Sequence, residues 1–205
     1  MQSVRGANVL VTGAAMGLGK LFAGNAVKEG AAAVVLWDAN AAALEETAAE
    51  LEAAGGTIRY DVVDVTSRER VAEAAERVRN DVGTIHVLFN NAGIVRGNGY
   101  FWENDPHDFL LTVEVNSIGP MLVAREFLPA MIASGRPCRL VNVASSAGLN
   151  AIPRMAAYAA SKWAAIGFSD SVRLELEQAG HKLVKVTTVC PTYINTGMFD
   201  GAKGI

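Results

Sequence analysis

The chain has 205 residues, of which 51% are hydrophobic and 19% are charged, and its formal net charge is −3. This length and composition support one sizeable buried core and exclude a disordered protein. The lysines and arginines are scattered singly among acids and form no basic stripe, which argues against nucleic acid as a partner.

The sequence contains no pattern typical of a secretory signal, a membrane helix or a metal site. The first residues lead almost directly into an apolar strand, and no apolar run reaches the ~18 residues of a membrane helix. We therefore expect no membrane span and a cytoplasmic location. We interpret Cys138 and Cys190 as core residues rather than a disulfide, and the three histidines have no metal-ligand spacing.

Strand-like and helix-like segments alternate along the whole sequence. In chain order we predict a strand at 8–12, a helix at about 17–29, a strand at 33–38, a helix between its cap Asn40 and glycines 55–56, a strand at 57–63, a helix capped by Ser67, a strand at 85–90, a helix from Pro106 through Asn116, a helical segment toward Ile132, a strand at 139–145, a helix at about 155–178 and a strand at 185–190.

Most of the predicted strands are near-continuous apolar runs, which is typical of a parallel sheet covered by helices on both faces. Right-handed crossovers between such strands give a doubly wound α/β sheet. We therefore predict a Rossmann-type fold in a single domain, residues 1–205, with strand order 3-2-1-4-5-6. A seventh strand and its helix would fit the architecture, but the residues after strand six are too few to form them.

A glycine-rich turn, Thr12-Gly13-x3-Gly17-x-Gly19, follows the first predicted strand. Glycines let the backbone approach a pyrophosphate, and the N–H groups at the start of the following helix favour its negative charge. A tight turn without a ligand would use the same glycines. Its place in the first βα unit favours nucleotide binding, so we predict five dinucleotide-binding residues here: Gly13, Met16, Gly17, Leu18 and Gly19.

Asp38 ends the second predicted strand, where a carboxylate can accept hydrogen bonds from the adenosine ribose hydroxyls. The same carboxylate would repel a 2′-phosphate, and neither Met16 nor the neighbours of Asp38 are basic. This pattern favours NAD over NADP. The alternative of a helix-capping aspartate is weaker because Asn40 already serves as the cap.

Polar and small residues also follow the third and fourth predicted strands. The Asp64 carboxylate could lie at the edge of an adenine ring, although aspartate suits a simple turn equally well. In Asn90-Asn91-Ala92-Gly93, the small residues would let a cofactor lie close, while the amides tie adjacent strands together. Five more cofactor-binding residues are therefore predicted: Asp64, Val65, Asn91, Ala92 and Gly93.

Tyr158 and Lys162 are four residues apart, which places them one turn apart on the same face of a helix. A free phenol titrates near pH ~10, and a neighbouring ammonium favours the phenolate. The Ser145 hydroxyl could hold a reacting oxygen while Tyr158 moves its proton. A solvated tyrosine–lysine pair is the ordinary alternative, and the upstream motifs favour the catalytic interpretation.

These residues make the chain resemble the short-chain dehydrogenase/reductase family over essentially its whole length. The markers are the glycine-rich turn, Asn90-Asn91-Ala92-Gly93, Asn116, Ser145 and Tyr158-x3-Lys162. The resemblance implies a Rossmann-type subunit that oxidises alcohols or reduces carbonyls with a nicotinamide cofactor. It also implies a homodimer or homotetramer that acts on a small-molecule alcohol or carbonyl.

The resemblance assigns a role to each catalytic candidate. Tyr158 would be the catalytic acid/base, and Lys162 would lower its pKa and hold the nicotinamide ribose. Ser145 would orient the substrate oxygen. Asn116 would hold a water in a proton relay to solvent.

The loop after the sixth strand gives both agreement with the family and a departure from it. Pro191, Ile194 and Thr196 match the family's nicotinamide-contacting loop, whereas Thr192 replaces the usual glycine. The residues 190–201, together with 142–148, resemble a narrower branch of retinol and 17β-hydroxysteroid dehydrogenases. That branch suggests a lipid-like alcohol as the substrate.

Two alternative functions stay open from the sequence. The first is an NADPH-dependent carbonyl or oxoacyl reductase, against which Asp38 argues. The second is a non-catalytic nucleotide-sensing protein, which would be expected to have lost Ser145, Tyr158 or Lys162.

Overall fold

Six parallel strands form one sheet in the computed structural model, which describes residues 3–194. The strands are β1 (Asn8–Thr12), β2 (Ala33–Asp38), β3 (Ile58–Val62), β4 (Val87–Asn90), β5 (Cys138–Val143) and β6 (Val184–Val189). Their order across the sheet is β3-β2-β1-β4-β5-β6, and every neighbouring pair is parallel. The predicted doubly wound Rossmann-type sheet is therefore confirmed.

Helices cover both faces of this sheet. They are α1 (Gly17–Lys28), α2 (Ala41–Ala53), α3 (Arg68–Asp81), α4 (Pro106–Val113), α5 (Gly119–Ala133) and α6 (Ala156–Gln178). Short 3₁₀ turns lie at Phe101–Glu103 and Ser146–Gly148. Within residues 3–194, none of the helices is both long and apolar enough to cross a membrane.

The near-continuous apolar strands are explained by two cores, one on each face of the sheet. Successive side chains of a strand point to opposite faces. On β1, Val9 therefore packs in the core that contains Leu44 of α2, whereas Leu10 packs in the core that contains Val78 of α3 and Phe127 of α5. Because both faces are dry, no polar alternation is needed along the strand.

The predicted helix starts coincide with side-chain caps. Asn40 accepts a hydrogen bond from the Ala43 N–H at 3.2 Å, and Ser67 accepts one from the Arg70 N–H at 3.3 Å. These bonds satisfy N–H groups that have no partner within the helix. The local sequence therefore sets where α2 and α3 begin.

A π turn, Glu114–Ile118, joins α4 to α5 where the sequence predicts only an ordinary helix through Asn116. At its end the Gly119 N–H donates to the Glu114 carbonyl, five residues earlier. Pro120 follows, and because proline has no N–H it cannot donate to the Asn116 carbonyl four residues before it. The wider turn places Asn116 in the middle of a local break in the helix.

Candidate active site

A cavity of about 590 Å³ lies at the carboxyl ends of the strands. The strand order reverses between β1 and β4, and a crevice at such a switch point is the general ligand site of open α/β sheets. The part of the wall that follows β1, β2 and β3 is here called the acidic end, and the part that follows β4, β5 and β6, with Tyr158 and Lys162 of α6, is called the tyrosine end.

Predicted cofactor residues line the acidic end of this cavity. They are Gly13, Met16, Gly17, Leu18, Asp38, Asp64 and Val65. The start of α1 also forms part of this wall, and the side chain of Met16, its N-cap, makes no capping hydrogen bond. The first N–H groups of α1 therefore suit an anion such as a pyrophosphate.

Asp38 bonds to backbone on both sides of its carboxylate. One oxygen accepts the Ala15 N–H at 2.9 Å, and the other accepts the Asn40 N–H at 2.9 Å. The buried Thr47 hydroxyl holds the same turn by donating to the Ala15 carbonyl at 2.8 Å. Because an ionised carboxylate has about four acceptor positions, Asp38 keeps capacity for ribose hydroxyls.

Two glycines are required for close backbone packing in this turn. Gly13 has φ of +64°, and a β-carbon there would come within 2.8 Å of the Ala92 α-carbon. A β-carbon at Gly19 would overlap the Gly13 carbonyl oxygen. Gly19 is therefore a packing residue beneath the turn and does not line the cavity, unlike the other four residues predicted with it.

The glycine turn is braced against the end of β4. Thr12 accepts the N–H groups of Asn91 at 3.0 Å and Ala92 at 3.1 Å, and the Asn91 side-chain amide donates to the Thr12 and Gly13 carbonyls. Asn90 does not line the cavity and instead donates to Asn142 of β5 at 2.9 Å. The amides of this motif tie neighbouring strands together.

Asp64 lines the cavity and also makes a local turn. One of its carboxylate oxygens accepts the Thr66 N–H at 2.9 Å and the Thr66 hydroxyl at 2.7 Å. The turn interpretation of Asp64 is therefore confirmed, and its predicted contact with an adenine ring stays a prediction.

Most of the remaining predicted residues line the tyrosine end of the cavity. They are Asn91, Ala92, Gly93, Ser145, Tyr158, Lys162, Pro191 and Ile194. Thr196 lies outside the described residues, so its predicted contact has no structural counterpart. The structure thus brings residues from the ends of β4, β5 and β6 and from α6 to one wall.

Ser145 and Tyr158 form a hydrogen-bonded pair in this wall. Ser145 follows β5 and also accepts the Ala147 N–H at 3.1 Å, while Tyr158 lies in the first turn of α6 and is 4% exposed. Burial raises the pKa of Tyr158, and the Ser145 hydrogen bond opposes that shift. Burial is the larger of the two effects.

Lys162 is buried at the base of the site. Its ammonium donates to the Val143 carbonyl at 3.1 Å and lies 5.6 Å from the centre of the Tyr158 ring. Burial lowers the pKa of Lys162 to about 8, against an opposing contribution from Cys190. An ammonium has three N–H donors, so the bond to Val143 leaves two for other acceptors.

Asn116 does not line the cavity but lies behind it, where its side chain joins three segments. Its oxygen accepts the Ile94 N–H at 2.8 Å, and its amide donates to the Ile94 carbonyl at 2.9 Å and the Ser161 hydroxyl at 3.0 Å. A β-carbon at Gly93 would lie 3.3 Å from the Asn116 side-chain oxygen and 3.4 Å from the Lys162 nitrogen. The Asn116 side-chain oxygen and the Lys162 nitrogen therefore both lie close to Gly93.

Sequence reasoning missed Ser161 and Arg96. Buried Ser161 accepts from Asn116 and donates to the Tyr158 carbonyl at 2.7 Å, which links the π turn to the helix of the catalytic candidates. It stands inside the Tyr158–Lys162 spacing, but no local pattern indicates its partner 45 residues away. Arg96 lines the tyrosine end, and only the folded chain places it there.

Metal ligands are not grouped in the part of the chain that the structure describes: no three histidine, cysteine or acidic side chains in residues 3–194 lie close enough to hold an ion. Cys138 and Cys190 are both free thiols.

A sequence model of the family described as short chain dehydrogenase matches residues 7–203. Among curated proteins, estradiol 17-beta-dehydrogenase 11 of Pongo abelii is 39% identical over 196 residues, which are 96% of this chain and 64% of that protein. Epidermal retinol dehydrogenase 2 of Homo sapiens is 40% identical over 203 residues, or 98% of this chain and 64% of that protein. The chain thus spans less than two thirds of the length of these relatives.

A solved structure also matches the fold closely. The short chain dehydrogenase/reductase from Burkholderia phymatum in complex with NAD has a TM-score of 0.93 and 34% identity. The match covers 98% of this chain and 70% of that one.

Proposed function

The chain belongs to the short-chain dehydrogenase family, and on that basis we propose that it is an NAD-dependent oxidoreductase that interconverts an alcohol and its carbonyl. The observation that carries the proposal is the hydrogen-bonded Ser145–Tyr158 pair above buried Lys162 in the wall of the cavity. A non-catalytic protein would have no need to keep these three side chains together. The names of the curated relatives favour a hydrophobic alcohol as the substrate.

The described residues fit a nicotinamide dinucleotide. The start of α1, which has no side-chain cap, suits the pyrophosphate, and Asp38 suits the adenosine ribose. At the other end, Lys162 has two N–H donors left for a ribose hydroxyl, and Pro191 and Ile194 line the cavity. When bound, the cofactor supplies hydride transfer to or from the substrate carbon.

Ser145 and Tyr158 divide the work at the substrate oxygen. Ser145 donates a hydrogen bond that fixes the oxygen, and Tyr158 takes the hydroxyl proton in alcohol oxidation or gives it in carbonyl reduction. Lys162 favours the phenolate of Tyr158 because its ammonium lies near the ring. The positive charge of Lys162 is needed because burial alone shifts the pKa of Tyr158 upward, which is the unfavourable direction for a base.

Asn116 and Ser161 support this pair from behind. Ser161 bonds to both the Asn116 amide and the Tyr158 carbonyl, so the first turn of α6 is fixed to the π turn. Both hydrogens of the Asn116 amide are donated within the protein. We therefore assign the water-holding role of Asn116 to its backbone carbonyl, to which Pro120 cannot donate.

Assembly and location stay predictions. Trp163 on α6 is 56% exposed and is a candidate for a contact between subunits of the proposed homodimer or homotetramer. Phe168, also on α6, packs against the core instead. The predicted cytoplasmic location is not tested by the fold.

The test is Tyr158→Phe, measured as NADH formation from NAD with a panel of alcohols from short secondary alcohols to steroids and retinol. We expect turnover to be abolished while the Kd for NAD changes little, because Phe removes only the phenol oxygen. Tyr60→Phe, on an exposed tyrosine of β3, is the matched control and should retain activity. Substantial turnover by Tyr158→Phe would refute the mechanism.

A further inference from the structure

Arg96 is a cation in the cavity wall whose side chain has no assigned task. The residue is exposed and lines the tyrosine end of the cavity. Its guanidinium makes no ion pair within residues 3–194, and neither does that of Arg68 or Arg125. A planar guanidinium facing a ligand cavity is suited to bind a carboxylate through two parallel hydrogen bonds.

The backbone of Arg96 is fixed although its side chain makes no ion pair with the described residues. Thr112 of α4, which is fully buried, accepts the Arg96 N–H at 3.2 Å. The Thr112 hydroxyl donates to the Asp108 carbonyl at 2.9 Å, and the Arg96 carbonyl oxygen is a longer alternative acceptor at 3.4 Å. The base of the side chain is therefore held in one place. A cation that is fixed at its base loses less entropy when it binds a ligand.

The residue before Arg96 is in contact with the wall that holds the reacting groups. Val95 packs against the small cluster that contains Tyr158 and Met155. The cofactor's phosphates belong elsewhere, because the pyrophosphate suits the start of α1 and a 2′-phosphate would lie next to Asp38. Arg96 is therefore placed for the substrate and not for the dinucleotide.

The charged side chains of the cavity wall are also separated between its two ends. Among the described residues, the acids that line the cavity are Asp38 and Asp64, at the acidic end, and the cations are Lys162 and Arg96, at the tyrosine end. Lys162 is buried and bonded to a backbone carbonyl, so Arg96 is the exposed one.

We propose that Arg96 binds a carboxylate of the substrate, so that the substrate is an apolar hydroxy acid and the product is the corresponding oxo acid. The carbon chain between the two ends lies along the apolar wall that includes Ile94, Val95 and Val143. Oxidation at the hydroxyl-bearing carbon converts NAD to NADH and releases one proton. This assignment rests on the proposed dehydrogenase function and adds a substrate class to it.

The test compares hydroxydecanoic acids, with the hydroxyl near, midway and far from the carboxylate, with their methyl esters. The wild-type protein should prefer one acid over its ester in kcat/KM. Arg96→Gln should reduce this acid-to-ester ratio about ten- to hundredfold, mainly through KM, because a charge-assisted bond is lost. Arg96→Lys should retain part of the preference, and Arg68→Gln, at an exposed arginine on α3, is the matched control.

A second measurement does not depend on turnover. Binding of decanoate and decanol to the protein with NAD, measured by calorimetry, should show tighter binding of the acid and loss of that difference in Arg96→Gln. An acid-to-ester ratio that is unchanged in Arg96→Gln, or equal binding of decanoate to wild type and variant, would overturn the proposal. Equal oxidation of acids and esters that depends on Tyr158 but not on Arg96 would support the dehydrogenase function and overturn the assignment of Arg96 to a substrate carboxylate.

Discussion

Replacing Asp38 by asparagine should weaken the preference for NAD over NADP. The change removes the charge but keeps a side-chain oxygen that can accept the Ala15 N–H, which Asp38 now accepts at 2.9 Å. Asp38→Ala removes both the charge and the acceptor. The pair of variants therefore separates repulsion of a 2′-phosphate from support of the glycine turn.

The size of the effect follows from the position of Asp38 at a half-buried rim. Two unit charges about 5 Å apart repel by about 3 kcal/mol at an effective dielectric constant of 20, and by about 1 kcal/mol in water. The NADP-to-NAD ratio of kcat/KM should therefore rise about 5- to 160-fold in Asp38→Asn. Asp38→Ala should show a similar change in the ratio and additionally weaker NAD binding, because the Ala15 N–H loses its acceptor.

The assay is the rate of NADH or NADPH formation with one alcohol, together with the Kd of each dinucleotide. Asp81→Asn, at an exposed acid at the end of α3, controls for the loss of one negative charge. An unchanged cofactor ratio in Asp38→Asn would show that its charge does not discriminate and would refute the reasoning from Asp38 to NAD.

Two further predictions concern the buried support of the site. Lys162→Met should abolish turnover yet raise the free energy of unfolding at pH 7 by about 2 kcal/mol. The gain arises because the pKa of Lys162 is about 8 in the folded protein against an ordinary 10.5, so keeping this side chain charged below pH 8 costs folding free energy. Loss of the hydrogen bond to the Val143 carbonyl offsets part of that gain. This gain in the free energy of unfolding, measured in urea, should vanish as pH rises toward ~10.5, where the unfolded lysine also loses its proton. A difference between variant and wild type that does not depend on pH would contradict the prediction. Ser161→Ala should destabilise by about 1–3 kcal/mol in urea unfolding, since it leaves one N–H of the buried Asn116 amide without an acceptor, and it should lower kcat more than it raises KM for NAD. Ser134→Ala, at a hydroxyl bonded within the end of α5, is its control, and equal losses in the two variants would argue against a positioning role.

Membership of the family, and similarity to its retinol and 17β-hydroxysteroid dehydrogenase branch, are confirmed by the comparisons. The markers that indicated it are local in sequence, namely glycines at a strand–helix turn and residues one helical turn apart. The roles of Ser145, Tyr158 and Lys162 stay proposals that the variants above can test. The choice of NAD and the substrate class are proposals of the same kind.

The sequence by itself determined the sheet and the starts of its helices. The apolar runs at 8–12 and 33–38 coincide with β1 and β2, since a strand buried on both faces has a pattern that depends only on its own residues. Asn40 and Ser67 mark the starts of α2 and α3 because a cap acts within three residues.

Only the tertiary structure decided how the site is supported and charged. Asn116 sits behind the cavity rather than in its wall, because its partners Ile94 and Ser161 lie 22 and 45 residues away and meet it through the π turn. The upward shift of the Tyr158 pKa comes from burial, which no spacing in the sequence expresses. Arg96 faces the cavity because Val95 and Thr112 fix the loop after β4, and such long-range contacts exist only once the chain has folded.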